Sequence, residues 1–143
     1  MIEHPSLRWN TGAPCPLVVT SEARALFSFE TPAGEVQTAE FVGCTAVRFG
    51  FPNDEVLHGH PLYGAGLQFY AAHQIAGSPW LAELRQIEAL HRRAPAVPFA
   101  DSRHYLLAFH DSTLEAIALD IEIGQRFATS ADALAAMATA VAV

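Results

Sequence analysis

Residues 103–110 and 113–123 are apolar at alternate positions and again at the positions between them, on either side of Asp111-Ser112. Successive side chains of an extended chain point to opposite faces. Tyr105, Leu107, Phe109, Leu114, Ala116 and Ala118 therefore share one face, and Leu106, Ala108 and Ile117 share the other with His104, Glu115 and Leu119. A hairpin that is apolar on both faces must be covered on both sides. The rest of the chain has to supply two covering layers. At 143 residues it is long enough to do so within one domain, residues 1–143. With 51% hydrophobic and only 16% charged residues, it buries enough surface to order itself.

The covering elements can be read in turn. Residues 1–22, with Pro5, Pro14 and Pro16, form an irregular lead-in with a short strand at 17–20. Residues 23–30 alternate as a half-buried strand, and the turn cluster 31–35 follows, with Pro32 and Gly34. A second strand lies within 36–49, where Gly43 marks a bulge. Residues 50–66 are loop by composition, and 67–75 alternate as a third strand. Ser78 as N-cap and Pro79 at the first helical position open an amphipathic helix over 79–93. Its apolar side carries Trp80, Leu81, Leu84, Ile87 and Leu90, with His91 beside them, and Pro95 and Pro98 stop it. A last helix follows Ser130 as its N-cap and runs to about 141, with Leu134, Met137 and Val141 as its stripe, packed on the sheet or across a homodimer interface. The expected class is α+β: a largely antiparallel sheet of about five strands, helix 79–93 packed on it, and a C-terminal helix.

Charge excludes some partners. Eight basic against fifteen acidic residues give a net charge of −7, and every basic residue is Arg. Lysine Schiff-base chemistry and a phosphate-loop lysine are absent, and no basic stripe is present to displace counterions from nucleic acid. The apolar tail 133–143 is shorter than the roughly 20 residues a membrane span needs. The first residues lack the apolar segment of a signal peptide, so a cytoplasmic location is expected. Cys15 and Cys44 are too few for a disulfide scaffold and read as small buried hydrophobes.

Two segments gather polar groups. If Asp111-Ser112 is a two-residue turn, His110 faces Thr113 and Ala108 faces Glu115. His110, Thr113 and Glu115 then cluster at one end of an apolar face, where Glu115 orients the imidazole. A turn lacking glycine leaves the register open, and the plainer reading is a solvated hairpin tip. The loop 58–66 brings His58, His60 and Tyr63 among Gly59, Gly64, Ala65 and Gly66, where the backbone can approach a ligand closely. His58 and His60 would serve a metal only with a third ligand, from His110 and Glu115 or from Asp54 and Glu55. No metal or other cofactor is assigned from the sequence. His73, His91 and His104 read as structural.

The segments GHPLYGAGL at 59–67 and HYLLAFHDSTLEAIA at 104–118 resemble short stretches of small bacterial proteins to which no activity is attached. The resemblance covers about a third of the chain and extends to the start of the helix at Ser78-Pro79-Trp80. It implies that loop and hairpin work as one feature and carries over no catalytic residue.

The expected function is a small soluble binding protein. Its pocket, built from loop 58–66 and hairpin 104–119, would hold a small molecule or a partner protein through His58, His60, Tyr63, His110, Thr113 and Glu115. The alternative is a small hydrolase or isomerase with a His/Glu acid–base pair, with or without metal assistance.

Overall fold

The computed structural model describes residues 1–4 and 7–143; Pro5 and Ser6 of the lead-in lie outside the described residues. Among the described residues the chain is α+β, with nine strands in two antiparallel sheets. The first sheet has the order β1 (Ile2–Glu3), β6 (Ala72–Ile75), β7 (Arg103–Ala108), β8 (Thr113–Ala118), β5 (Ala46–Gly50). The second has the order β2 (Leu17–Thr20), β3 (Ala25–Glu30), β4 (Val36–Val42), β9 (Asp120–Phe127). Helices α1 (Pro79–Glu88) and α2 (Ser130–Val141) lie on the outer faces, α1 against β7 and α2 against β2, β3, β4 and β9.

The double-sided hairpin explains this layering. Tyr105, Leu107, Leu114, Ala116 and Ala118 point inward and meet Phe27, Phe29 and Phe41 of the second sheet in one core, together with Trp9 and Phe109. The aromatic rings interlock, with Trp9 and Phe109 centroids 4.5 Å apart and Phe27 and Phe41 4.6 Å apart. The opposite face is covered in two patches. Leu106 and Ala108 pack under Leu57 and Leu67, and Ile117 packs under Trp80 and Leu81.

Two stretches that read as single strands are each broken between the sheets. Residues 36–49 divide into β4 and β5, and 113–123 into β8 and β9, so at each of these two breaks the chain passes directly from one sheet to the other. The crossings are adjacent: Thr45 N–H donates to Ile117 and Leu119 N–H donates to Val42, each at 2.8 Å. Gly43, at φ +59°, allows the corner, and a Cβ there would lie 2.7 Å from Leu119 Cδ1. It is a corner between sheets rather than the expected bulge within one strand.

Other boundaries move for local reasons. Residues 67–71 are outside β6, because Tyr70 adopts φ +56° and ends the extended run. A 3₁₀ helix, Asp54–Gly59, forms inside the expected loop. Helix α1 opens as expected, with Ser78 Oγ accepting from Leu81 N–H and Pro79 in the first turn, but it stops at Glu88. Arg85 donates to the carbonyls of Pro98 and Phe99, drawing the following segment back against the helix. Its buried seam is thus Trp80 and Leu81 with Leu84 half-buried, whereas Ile87, Leu90 and His91 are exposed. Thr129, not Ser130, caps α2 by accepting from Asp132 N–H. Ala133 and Met137 are its buried contacts, and Leu134 is exposed. Both cysteines are free; Cys15 is exposed and Cys44 half-buried.

Candidate functional site

The hairpin register differs from the tight-turn expectation by two residues. Ala108 pairs with Thr113, and Phe109–Ser112 form a four-residue connection closed by Phe109 N–H donating to Ser112. Asp-Ser lacks the left-handed preference that a two-residue turn demands. A shift of two preserves which side chains share a face but changes which are neighbours. Leu106, not Ala108, is opposite Glu115, and His104 comes diagonal to Glu115. The expected His110–Glu115 pair is therefore not formed, and Glu115 bonds His104 instead.

Glu115 Oε1 is 2.8 Å from His104 Nε2, and His104 Nδ1 is 2.7 Å from Ser78 Oγ. Ser78 Oγ also accepts from Leu81 N–H at 3.0 Å. With the ring proton on Nε2, the chain is complete: Leu81 N–H donates to Ser78, Ser78 O–H to His104, and His104 Nε2–H to Glu115. Every member is buried. A hydroxyl that begins a helix is thereby tied to a carboxylate on β8.

Burial alone would raise the Glu115 carboxyl. The His104 hydrogen bond and the electrostatic influence of His104, His60 and Arg48 together outweigh burial and hold it below the ordinary carboxylate value. Glu115 is thus an anion at neutral pH.

A cavity of about 250 Å³ opens over this carboxylate. His60, Pro61 and Leu62 form one wall and Pro79 and Trp80 another, with Arg48 and Glu83 completing it. Trp80 meets the His104 ring edge-on at 5.2 Å between centroids, and the Arg48 guanidinium lies 3.8 Å from the Trp80 ring centroid. His60 Nδ1 accepts from Leu62 N–H at 3.1 Å, which leaves Nε2–H directed at the cavity. Its Nε2 stands 3.7 Å from Glu115 Oε2, too far for a hydrogen bond. Among the described residues no hydrogen bond reaches Oε2. An acceptor and a donor thus stand side by side at the cavity floor, each with capacity to spare.

The six residues expected to form one site are placed in three groups. His60 and Glu115 share the cavity. His110 and Thr113 lie at the far end of the hairpin: Thr113 Oγ1 donates to Pro52 at 2.8 Å, and His110 Nδ1 stands 3.6 Å from Asp54 Oδ2 and 3.2 Å from Asp111 Oδ1. Asp54 Oδ2 also accepts from Tyr70 O–H at 2.6 Å. His58 and Tyr63 are exposed, edge-on to each other at 6.4 Å. His58 and His60 thus diverge, and among the described residues no three His, Cys, Asp or Glu side chains are grouped to hold a metal ion.

Sequence reasoning missed His104, Arg48, Trp80 and Ser78 as members of the site. One signal was present: alternation already put His104 on the Glu115 face. His73, by contrast, is the core histidine expected, with Nε2 accepting from Gln68 N–H and Nδ1 3.2 Å from the Leu106 carbonyl.

No protein-family model matches the chain, and neither a curated protein nor a solved structure is found to match it. Among the described residues no helix is long and apolar enough to cross a membrane.

Proposed function

We propose that the protein binds a small molecule in the cavity between His60–Leu62, the first turn of α1 and the outer face of β5, β7 and β8. The observation that carries this reading is the pair at its floor. Glu115 Oε2 offers an acceptor and His60 Nε2–H a donor 3.7 Å away, and among the described residues neither makes a hydrogen bond. A ligand that supplies the complementary donor and acceptor satisfies both. Trp80, Leu62, Pro61 and Pro79 give the apolar walls against which its carbon frame packs.

The Glu115 carboxyl also weighs binding against acid–base catalysis. A general acid or base works best with a pKa near the working pH. Glu115 is held in the other direction, below an ordinary carboxylate. It suits a fixed anionic anchor better than a proton carrier, so the hydrolase or isomerase reading ranks second.

The test is a fragment screen by two-dimensional NMR on the isotope-labelled chain. Bound fragments should move the Trp80 indole and Leu62 resonances together, and Leu62→Trp, which fills the cavity, should abolish those shifts. Fragments that bind without disturbing either resonance, or that bind Leu62→Trp equally well, would refute the assignment.

A further inference from the structure

The cavity carries a charge pattern that narrows its ligand. Arg48 and Glu115 are directly paired across β5 and β8 and point to the same face. Opposite charges so placed usually meet. Here they do not: Glu115 is drawn to His104 and Arg48 lies on Trp80. Among the described residues the Arg48 guanidinium makes neither an ion pair nor a hydrogen bond, so its donors are free on the cavity wall. Glu115 Oε2 is free on the floor. Glu83 adds a second acid to the lining.

We propose that the ligand is a small amino-acid zwitterion, with its ammonium on Glu115 Oε2 and its carboxylate on Arg48 and His60 Nε2–H. The assignment rests on the pocket reading above. Three observations favour it over a ligand of single charge. An anion would leave the Glu115 carboxylate unanswered beside Glu83. A cation would meet Arg48 on the wall. A zwitterion matches both, and its adjacent donor and acceptor suit protein groups 3.7 Å apart. Size agrees: about 250 Å³ holds roughly eight water-sized groups at about 30 Å³ each, which suits an amino acid with a short aliphatic side chain against Leu62 and Trp80.

The experiment titrates the full chain with valine, with isovalerate, which lacks the ammonium, and with isobutylamine, which lacks the carboxylate. The Trp80 indole resonance reports binding. Valine should bind at least about tenfold more tightly than either analogue, the scale of one charge-assisted hydrogen bond. Arg48→Gln should erase the preference over isobutylamine, and Glu115→Gln the preference over isovalerate. Arg48 is exposed, and the amide oxygen introduced by Glu115→Gln can still accept from His104, so both variants should fold. An analogue that binds the wild type as well as valine does, or variants that keep both preferences, would overturn the charge assignment. If neutral fragments bind in the cavity and valine does not, the zwitterion falls and the pocket stands. If neither binds, both fall.

Discussion

The Ser78 hydroxyl bridges two elements: it accepts from Leu81 N–H at 3.0 Å and meets His104 Nδ1 at 2.7 Å. One oxygen thus fixes the start of α1 and the ring that orients Glu115. Ser78→Ala removes a helix cap, at about 1 kcal/mol. It also leaves a buried ring nitrogen without a partner, at about 1–3 kcal/mol. A total loss of about 2–4 kcal/mol is expected in urea unfolding, with a displaced Trp80 indole resonance. A loss under about 0.5 kcal/mol, the scale of an ordinary surface change, would mean that the relay is not formed.

Glu115 gives the protein a dependence on acid. Its folded pKa lies below the ordinary value because the His104 and His60 interactions and Arg48 outweigh burial. A carboxyl depressed by folding stabilises fully above its unfolded pKa, near about 4.3, and that stability is lost as pH falls through the folded value. Glu115→Gln should therefore lie furthest below the wild type in stability at neutral pH, and the two should converge only below about pH 4. Denaturant midpoints against pH provide the measurement. A gap that is constant with pH would show that ionised Glu115 contributes nothing.

His73 acts over a higher range. Burial is the main cause of its lowered pKa, with the Leu106 carbonyl working the other way. A histidine kept neutral by folding contributes stability that is complete above its unfolded pKa, near about 6.5, and lost as pH falls through the folded value. A decline in stability should thus begin just below about pH 6.5, well before Glu115 titrates. His73→Gln should flatten the decline between about pH 6.5 and 5, and an unaltered slope would contradict the burial argument.

Core and surface leucines should separate cleanly. Leu107 is 0% exposed between the sheets, whereas Leu90 is 88% exposed beyond the end of α1. Leu107→Ala is expected to cost about 2–5 kcal/mol. Leu90→Ala should stay within about 0.5 kcal/mol. A loss at Leu90→Ala as large as that at Leu107→Ala would be incompatible with Leu90 lying exposed beyond α1.

At the corner between the sheets, Gly43→Ala combines a left-handed backbone with a clash on Leu119. The backbone alone costs about 1–2 kcal/mol. Gly43→Ala/Leu119→Ala should recover the steric part and leave the backbone part. If the double variant is no more stable than Gly43→Ala, measured by thermal unfolding, the close approach is not what constrains this position.

The elements that were legible carried local signals strong enough to survive packing. The Ser78-Pro79 start of α1 is a self-contained cap, and the double-sided hairpin required cover on both faces. What could not be read was relational. The two-residue difference in register depends on the connection Phe109–Ser112, whose Phe109 is buried against Trp9, 100 residues earlier in the chain. The end of α1 depends on Arg85 holding the Pro98 and Phe99 carbonyls, a contact with no helical period. Within the candidate site, His60 and Glu115 were legible from residue type. Arg48 was not, because only the sheet-to-sheet corner at Gly43 returns β5 to the edge of β8, and Trp80 was not, because it meets Arg48 only once α1 packs over Ile117.

That corner also bears on how binding would be felt. Strands β5 and β8, which carry Arg48 and Glu115, continue directly into β4 and β9 of the opposite sheet. Neither sheet can be completed without chain that is already committed to the other. The wall of the cavity and the aromatic interior around Trp9 are thus parts of one cooperative unit. A ligand at about 100 times its Kd would add about 2.7 kcal/mol to the stability of that whole unit. Its arrival at Trp80 would be recorded as a higher melting temperature at Trp9, a residue outside the cavity lining.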